Sequence, residues 1–290
     1  KLYGRGSVDM KGFLACVLAS VPLFKAAHLT KPIHIAFTFD EEIGGFGMPV
    51  LLESLSGLVY SPEVVIVGEP TQMKIVTGHK GGMIYRIHVH GFEVHSSILH
   101  RGVSAIMWGA KLIDWCNDVN DAQMAAEPQG LAGYFDPPFT NVHVGMIEGG
   151  TAHNISAKDC VFGLGFRVVP GESLDHWRMA LARKVEELTA EMQKTRPEAW
   201  IEVTEVSHLP PFAPEQDNTA EALVRRLTGD NSDNYVSYGT EASHFQTVGY
   251  RVVVCGPGSI EVAHQPDEYL SLAQLAEGQG FMERLLETLS

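Results

Sequence analysis

The feature that most constrains this chain is the run Ile33-His34-Ile35-Ala36-Phe37-Thr38-Phe39, which ends on Asp40-Glu41-Glu42 and is followed by Gly44-Gly45. A run rich in β-branched and aromatic residues predicts a buried strand. Acids crowded at its carboxyl end predict a site, because ligands of open α/β sheets gather there. Adjacent carboxylates repel one another unless a cation or a proton is shared among them. The bland alternative is local: Asp40 caps the next helix while Glu41 and Glu42 occupy its solvated first turn. Acids elsewhere in the chain have to decide between the two.

Two further acids lie in comparable places. Gly4-Arg5-Gly6-Ser7-Val8-Asp9-Met10-Lys11-Gly12 is a glycine-rich turn leading into a helix whose apolar residues Phe13, Leu14, Val17, Leu18, Val21 and Phe24 share a face. A dinucleotide-binding turn would need a glycine where Asp9 stands and a strand directly before it. Asp9 therefore reads as a site carboxylate or a helix cap. A helix over Met48–Leu58 precedes the apolar strand Glu63-Val64-Val65-Ile66-Val67, which runs into Gly68-Glu69-Pro70-Thr71. Asp9, Glu42 and Glu69, arriving from alternating α/β units, can converge on one sheet edge as the hard-oxygen ligands of a metal. His264, in a loop between a strand ending at Cys255 and a last helix over Ser271–Leu289, offers the nitrogen ligand such a site lacks.

The middle of the chain has a different texture. Strands at 83–91, 140–146, 160–168 and 199–207 and helices at 103–117 and 173–194 give a β-α-β-β-α-β order, with a polar loop over Asp121–Pro138. That order predicts a ferredoxin-like open sheet with two helices on one face. We therefore expect a domain at 79–207 inserted into a metal-binding domain made of 1–78 and 208–290. The uncovered edge of its sheet suits pairing with a second copy, so a homodimer is expected. His88 and His90, at i and i+2 on its first strand, point to one face and could chelate zinc. No third ligand is evident in the sequence, and an exposed sheet face suits histidine equally well.

Composition removes several functions. A net charge of −14 without clustered Lys and Arg argues against nucleic acid. No transmembrane span or signal peptide is apparent, so a soluble, cytoplasmic protein without membrane contact is expected. Cys16, Cys116, Cys160 and Cys255 lie far apart, as core thiols of a reducing compartment do. No Gly-x-Ser-x-Gly or His-Glu-x-x-His motif occurs. The chain opens at Lys1 directly on a motif, which leads us to expect that an N-terminal part is absent.

Taken jointly, Gly4–Gly12, Asp40-Glu41-Glu42, Gly68-Glu69-Pro70-Thr71 and His264-Gln265-Pro266-Asp267-Glu268 resemble, in order and spacing, the motifs of the acetylornithine deacetylase and succinyl-diaminopimelate desuccinylase family of dinuclear zinc hydrolases. The resemblance spans essentially the whole chain. It implies an α/β zinc-exopeptidase-like catalytic domain with an inserted lid and dimerisation domain. It also implies two zinc ions, cobalt being an alternative, with Asp9 bridging them, Glu42 and His264 completing one and Glu69 holding the other. Glu41 would be the general base. His95 would reach across a dimer to the oxyanion, Asn154 and Arg167 would bind the substrate carboxylate, and Thr240 would add a hydrogen bond. Glu241 is a candidate contact for a substrate amine. The implied substrate is an N-acylated amino acid, N2-acetyl-ornithine first, with succinyl-diaminopimelate, other acyl-amino acids and dipeptides as alternatives. The family also has an upstream His-x-Asp motif, which nothing in this sequence supplies. On that basis the Asp9/Glu42/His264 ion is expected to be retained, the Asp9/Glu69 ion to be weak or missing, and the catalytic sheet to have a raw edge. A catalytically inactive dimeric remnant holding one ion is the competing reading.

Overall fold

The computed structural model describes residues 1–57 and 61–290. Its strands and helices, in chain order, are β1 (Leu2–Tyr3), α1 (Gly12–Ala26), α2 (Met48–Ser56), β2 (Val65–Val67), β3 (Val76–His79), β4 (Gly81–His90), α3 (Ala105–Ala125), β5 (Asn141–Gly149), β6 (Asp159–Val168), α4 (Leu174–Gln193), β7 (Trp200–Leu209), α5 (Thr219–Thr228), β8 (Asn234–Val236), α6 (Ala242–Thr247), β9 (Val252–Val254), β10 (Tyr269–Leu270) and α7 (Leu272–Leu289). They form two compact units, Lys1–His79 with Phe212–Ser290, and Lys80–Pro211.

The Lys80–Pro211 unit is a four-stranded sheet of order β5-β6-β4-β7 in which every neighbouring pair is antiparallel. Period-two alternation builds it. Met83, Tyr85, Ile87 and Val89 of β4 are buried, while Ile84, Arg86, His88 and His90 alternate with them on the other face. Phe162, Leu164 and Phe166 of β6 join the buried set, and α3 and α4 close it with Leu112, Trp177, Leu181 and Leu188. α4 starts where Ser173 accepts the Asp175 N–H at 3.2 Å. α3 runs on to Ala125 rather than ending at Asn117, so the stretch expected to be loop from Asp121 begins as helix. Asn120 explains the extension: its amide donates to Val142 O at 2.7 Å and accepts from Val142 N at 2.8 Å, tying the helix to β5.

The other unit is built around a mixed sheet of order β2-β9-β3-β8, with β2/β9 and β3/β8 parallel and β9/β3 antiparallel. Its faces are covered separately. Ile75 and Val253 pack with Cys16, Phe24, Val224 and Phe281 of α1, α5 and α7, whereas Val252 and Val254 pack with Met48 of α2 and Phe245 of α6. Asn218 caps α5 by accepting the Ala220 and Glu221 N–H groups, and Gly229 closes it in the left-handed conformation at φ 76°. The strands end in loops that carry Glu69 after β2 and Gly256 after β9.

Three expectations need correction here. Residues 33–39 do not form a strand: Ile35, Phe37 and Phe39 are 40%, 51% and 93% exposed, and the segment pairs with no strand among the described residues. Apolar alternation makes a strand only where a neighbouring strand supplies hydrogen bonds. The helix expected to reach Leu58 ends at Ser56, and Leu58 itself lies outside the described residues. Contrary to the expectation of no candidate span, the helical stretch Ser7–Ala26, with a mean hydropathy of 1.5, is long and apolar enough to cross a membrane. Cys16 and Phe24 of that stretch are core residues packed with Phe281 and Met282 of α7.

Candidate metal centre

Asp9 sits in the turn between β1 and α1, and the end of the chain holds that turn in place. Glu268, 2% exposed, accepts the Val8 N–H at 3.0 Å, the Asp9 N–H at 3.3 Å and the Arg5 guanidinium at 3.3 Å. Burial alone would raise the Glu268 carboxyl, but the N–H groups of Gly6, Val8 and Asp9 outweigh it and hold the carboxyl below its ordinary range. Gly6, at φ 76°, makes the turn that presents these donors. Glu268 fixes the turn that carries Asp9, a contact that local sequence patterns do not announce. Its place four residues after His264 was the available signal.

Glu41 and Glu42 follow Asp40, which organises its own loop. Asp40 is buried, its carboxylate accepts the Gly47 N–H at 2.8 Å, and its backbone carbonyl accepts from Gly45 at 2.8 Å. Gly44 and Gly45, at φ 127° and 64°, let the chain fold back, so Glu41 and Glu42 occupy a single 3₁₀ turn, Glu41–Ile43. Their position is therefore a loop after an extended segment rather than the end of a paired strand.

His264 enters from a third segment. Its backbone is left-handed at φ 58°, a conformation that costs a non-glycine residue about 1 kcal/mol or more. That turn brings Nε2 to 3.1 Å from Asp9 Oδ2 and 3.2 Å from Glu42 Oε2. Candidate ligand atoms of Asp9, Glu42 and His264 all lie within 4.8 Å of one another. The charge of Glu42, opposed by some burial and reinforced by Asp9, raises the imidazole above its ordinary value.

Two more acids belong to this neighbourhood. Glu69, buried after β2, shares a hydrogen bond with Asp9, and burial followed by the charges of Asp9, Glu41 and Glu241 raises it well above the carboxylate range. Glu241, at the start of α6, accepts from Thr38 Oγ1 at 2.8 Å. Its other oxygen is buried without a hydrogen-bond partner among the described residues. Desolvation, then the charges of Glu42, Glu241 and Asp9, pushes Glu41 up to about 7 although the residue is exposed to solvent. Carboxylates this crowded, facing one imidazole and including an unpartnered buried oxygen, fit a divalent cation with mixed oxygen and nitrogen ligands.

The remaining expected residues fall elsewhere. Thr240 is fully buried and spends its hydroxyl accepting the Ala242 N–H at 3.2 Å, while its own N–H donates to His79 Nε2 at 3.3 Å. In the Lys80–Pro211 unit, His95 and Asn154 lie together: Ser96 N donates to Asn154 O at 2.9 Å, and His95 bridges to Ile155. His95 Nδ1 meets Ser97 Oγ at 2.7 Å. Arg167 is not with them. It pairs with Gly82 and Asn141 near the far end of β6, ~25 Å along the strand from Asp159, beside which the His95 and Asn154 loops lie. Within one chain Asn154 and Arg167 are not neighbours.

Comparison with known proteins follows the same outline. The model of a family described as peptidase family M20/M25/M40 matches residues 1–288. The acetylornithine deacetylase of Myxococcus xanthus is 32% identical over 289 residues, 98% of this chain and 71% of that protein. The acetylornithine deacetylase of Klebsiella pneumoniae (strain 342) is 34% identical over 274 residues, 93% of this chain and 67% of that protein. Among solved structures, the M20 family metallo-carboxypeptidase Sso-CP2 from Sulfolobus solfataricus matches with a TM-score of 0.74 at 17% identity, covering 98% of this chain and 77% of its own. Human carnosine dipeptidase 1 matches with a TM-score of 0.72 at 16% identity, covering 99% and 73%. Likeness at these identities concerns the fold.

Proposed function

This chain belongs to peptidase family M20/M25/M40 and is a metal-dependent hydrolase, and from that premise we propose that it removes the acyl group of an N-acylated amino acid, N2-acetyl-ornithine foremost. The observation that carries the reading is His264 Nε2, 3.1 Å from Asp9 and 3.2 Å from Glu42, with Glu41 adjoining in sequence. The names of the Myxococcus and Klebsiella relatives, acetylornithine deacetylase, support the substrate.

Asp9, Glu42 and His264 would hold one zinc or cobalt ion, and Asp9 with Glu69 would hold a second. Such an ion, when bound, polarises the scissile carbonyl and acidifies water. Glu41 takes a proton from the attacking water on a carboxylate oxygen and gives it to the leaving amine. In the metal-free chain desolvation first and then acidic neighbours raise this carboxyl to about 7, and a dication held by Asp9 and Glu42 would lower it again, as a base working near neutral pH requires. Glu241 supplies negative charge suited to ornithine's side-chain amine. Thr240 sets the entry to α6, and through it the place of Glu241.

In this reading the Lys80–Pro211 unit is the lid and dimerisation domain. Support comes from edge strand β5, where Met146 and Ile147 are 78% and 54% exposed, and from exposed Ile106 and Met107 on α3. His95 would serve the oxyanion of the partner subunit's reaction, and Asn154, lying beside it, would travel with it. Arg167 would meet a substrate carboxylate with its guanidinium fork. The enzyme would be a cytoplasmic one of arginine biosynthesis.

The deciding experiment measures acetate released from N2-acetyl-ornithine, with bound metal per chain, for wild type and Glu41→Gln. Wild type is expected to turn over, and the variant to keep its metal while losing activity ~10²–10⁴-fold. Metal-loaded wild type without acetate release would overturn the substrate. Faster cleavage of succinyl-diaminopimelate or a dipeptide would replace it. Loss of metal from the variant would make Glu41 a ligand rather than a base.

A further inference from the structure

A second group of metal-binding side chains lies wholly within the Lys80–Pro211 unit, on the sheet face opposite its helices. His88 and His90 of β4 point to that face, and β6 supplies the third group that the sequence did not reveal: Asp159, the direct cross-strand partner of His90. Glu202 of β7 stands directly across from His88 on the other side. The two imidazoles overlap with centroids 3.7 Å apart, and Trp200 stacks on His90 at 4.4 Å and 6°, which restrains the rings.

The ring nitrogens divide into two sets. His88 Nε2 and His90 Nδ1 face Asp159 Oδ1 at 2.8 and 3.8 Å, while His88 Nδ1 and His90 Nε2 face Glu202 Oε2 at 3.9 and 3.5 Å. Ligand atoms around a tetrahedral zinc ion at ~2.0–2.1 Å are ~3.3 Å apart, which the two Asp159 distances bracket. Candidate atoms of His88, His90 and Asp159 all lie within 4.8 Å of one another. Glu202 takes the outer position: by accepting from the far side of a ring it fixes the tautomer that leaves a lone pair facing Asp159, as carboxylates behind metal-bound histidines do.

We propose that His88, His90 and Asp159 form a divalent transition-metal site, with Glu202 as its outer carboxylate, joining β4 to β6. Two imidazoles and one carboxylate suit zinc, nickel or copper rather than magnesium or calcium. Three protein ligands leave a fourth position for water or a donor from another chain. The site is independent of Asp9, Glu42 and His264 and of the hydrolase reading.

The test is zinc titration of the full chain with heat and stoichiometry read together. Wild type is expected to bind one zinc ion more than His88→Asn/His90→Asn, and the hydrolytic rate of that variant to be unchanged. In a Glu42→Gln/His264→Gln background, where the other group is disarmed, the extra ion remains. Glu202→Gln weakens this ion ~10–100-fold without removing it, and provides a second readout if the histidine variant folds poorly. Equal zinc stoichiometry in wild type and His88→Asn/His90→Asn would overturn the site, and so would an unchanged affinity in both Glu202→Gln and Asp159→Asn. The two imidazoles would then be paired with carboxylates only.

Discussion

Phe162 in β6 is 1% exposed and Phe39, closing the run Ile33–Phe39, is 93% exposed, although both stand in apolar runs of strand composition. In the Lys80–Pro211 unit every such run has company: β4 lies between β6 and β7, and β6 between β5 and β4. In the other unit the run with the strongest strand composition pairs with nothing among the described residues, and the sheet is made instead from short segments such as Val65–Val67 and Val252–Val254. Strand propensity measures fit to a pleated, half-buried surface, and a surface has to be present before the fit counts. The unit with complete pairing carries the folding information in its alternation. The unit with incomplete pairing carries the chemistry in its loops.

The largest test of this contrast is Phe162→Ala, expected to cost ~3–5 kcal/mol because a cavity opens among buried side chains. All four tryptophans, Trp108, Trp115, Trp177 and Trp200, lie in the Lys80–Pro211 unit, so fluorescence during urea unfolding reports that unit alone. A loss below about 1 kcal/mol would mean that its core repacks and that alternation is less decisive than the burial suggests.

The same contrast sets what could be read without coordinates. The β-α-β-β-α-β order, the span of α5 and the Ser173 and Ser271 starts of α4 and α7 were legible because local signals and final packing agree there. Asp9, Glu42 and His264 were legible as a group only through joint motif spacing, since no local rule predicts that a left-handed histidine will meet acids from two distant segments. β8 and α6 were missed because short elements carry too little periodicity. Asp159 was missed as a partner of His88 and His90 because its role depends on β4–β6 register, which the sequence of β4 alone does not contain.

One desolvated group in each unit should also contribute a pH dependence of opposite sign. Lys80 is buried, donates to Pro137 O at 2.7 Å and Phe139 O at 2.9 Å, and is lowered by burial to about 8. The unfolded chain keeps that proton to about 10.4, so the folded state is penalised by about 3 kcal/mol below pH 8 and recovers as pH rises from 8 toward 10. Relative to Lys80→Met, wild type should gain fluorescence-detected stability across that window, while the Cys116 and Cys160 thiols, raised by burial, pull the other way in both proteins. Glu41, raised to about 7 by desolvation and then by its acidic neighbours, works the other way. The folded state holds a proton that the unfolded chain releases near pH 4.3, so metal-free stability falls as pH rises from there through 7. Glu41→Gln should make that fall shallower, the part due to the raised Glu69, Asp9 and Glu241 carboxyls remaining. Wild-type-minus-variant slopes of one sign for Lys80→Met and Glu41→Gln would break the comparison.

A smaller effect concerns how the loop chemistry is held. Glu268→Gln replaces a buried charged acceptor of the Val8 and Asp9 N–H groups by a neutral one, at an expected cost of ~1–2 kcal/mol. Hydrogen exchange at those two amides should quicken and metal should bind more weakly. Faster exchange with unchanged metal affinity would separate the fixing of the turn from the placing of Asp9.

The smallest expected effect is the most pointed. Phe39→Ser should change stability by no more than ~0.5 kcal/mol, because an almost fully exposed ring has no packing to lose. Backbone circular dichroism of the urea transition, which sees both units, is the measurement. Solubility should rise, since Phe39 exposes its ring on a segment that pairs with no strand among the described residues. A cost above about 2 kcal/mol would mean that Phe39 is packed in solution and that the run 33–39 has found a strand to pair with. Glu41 and Glu42 would then stand at a strand's end, and the difference between the two units would reduce to which neighbour each sheet can reach.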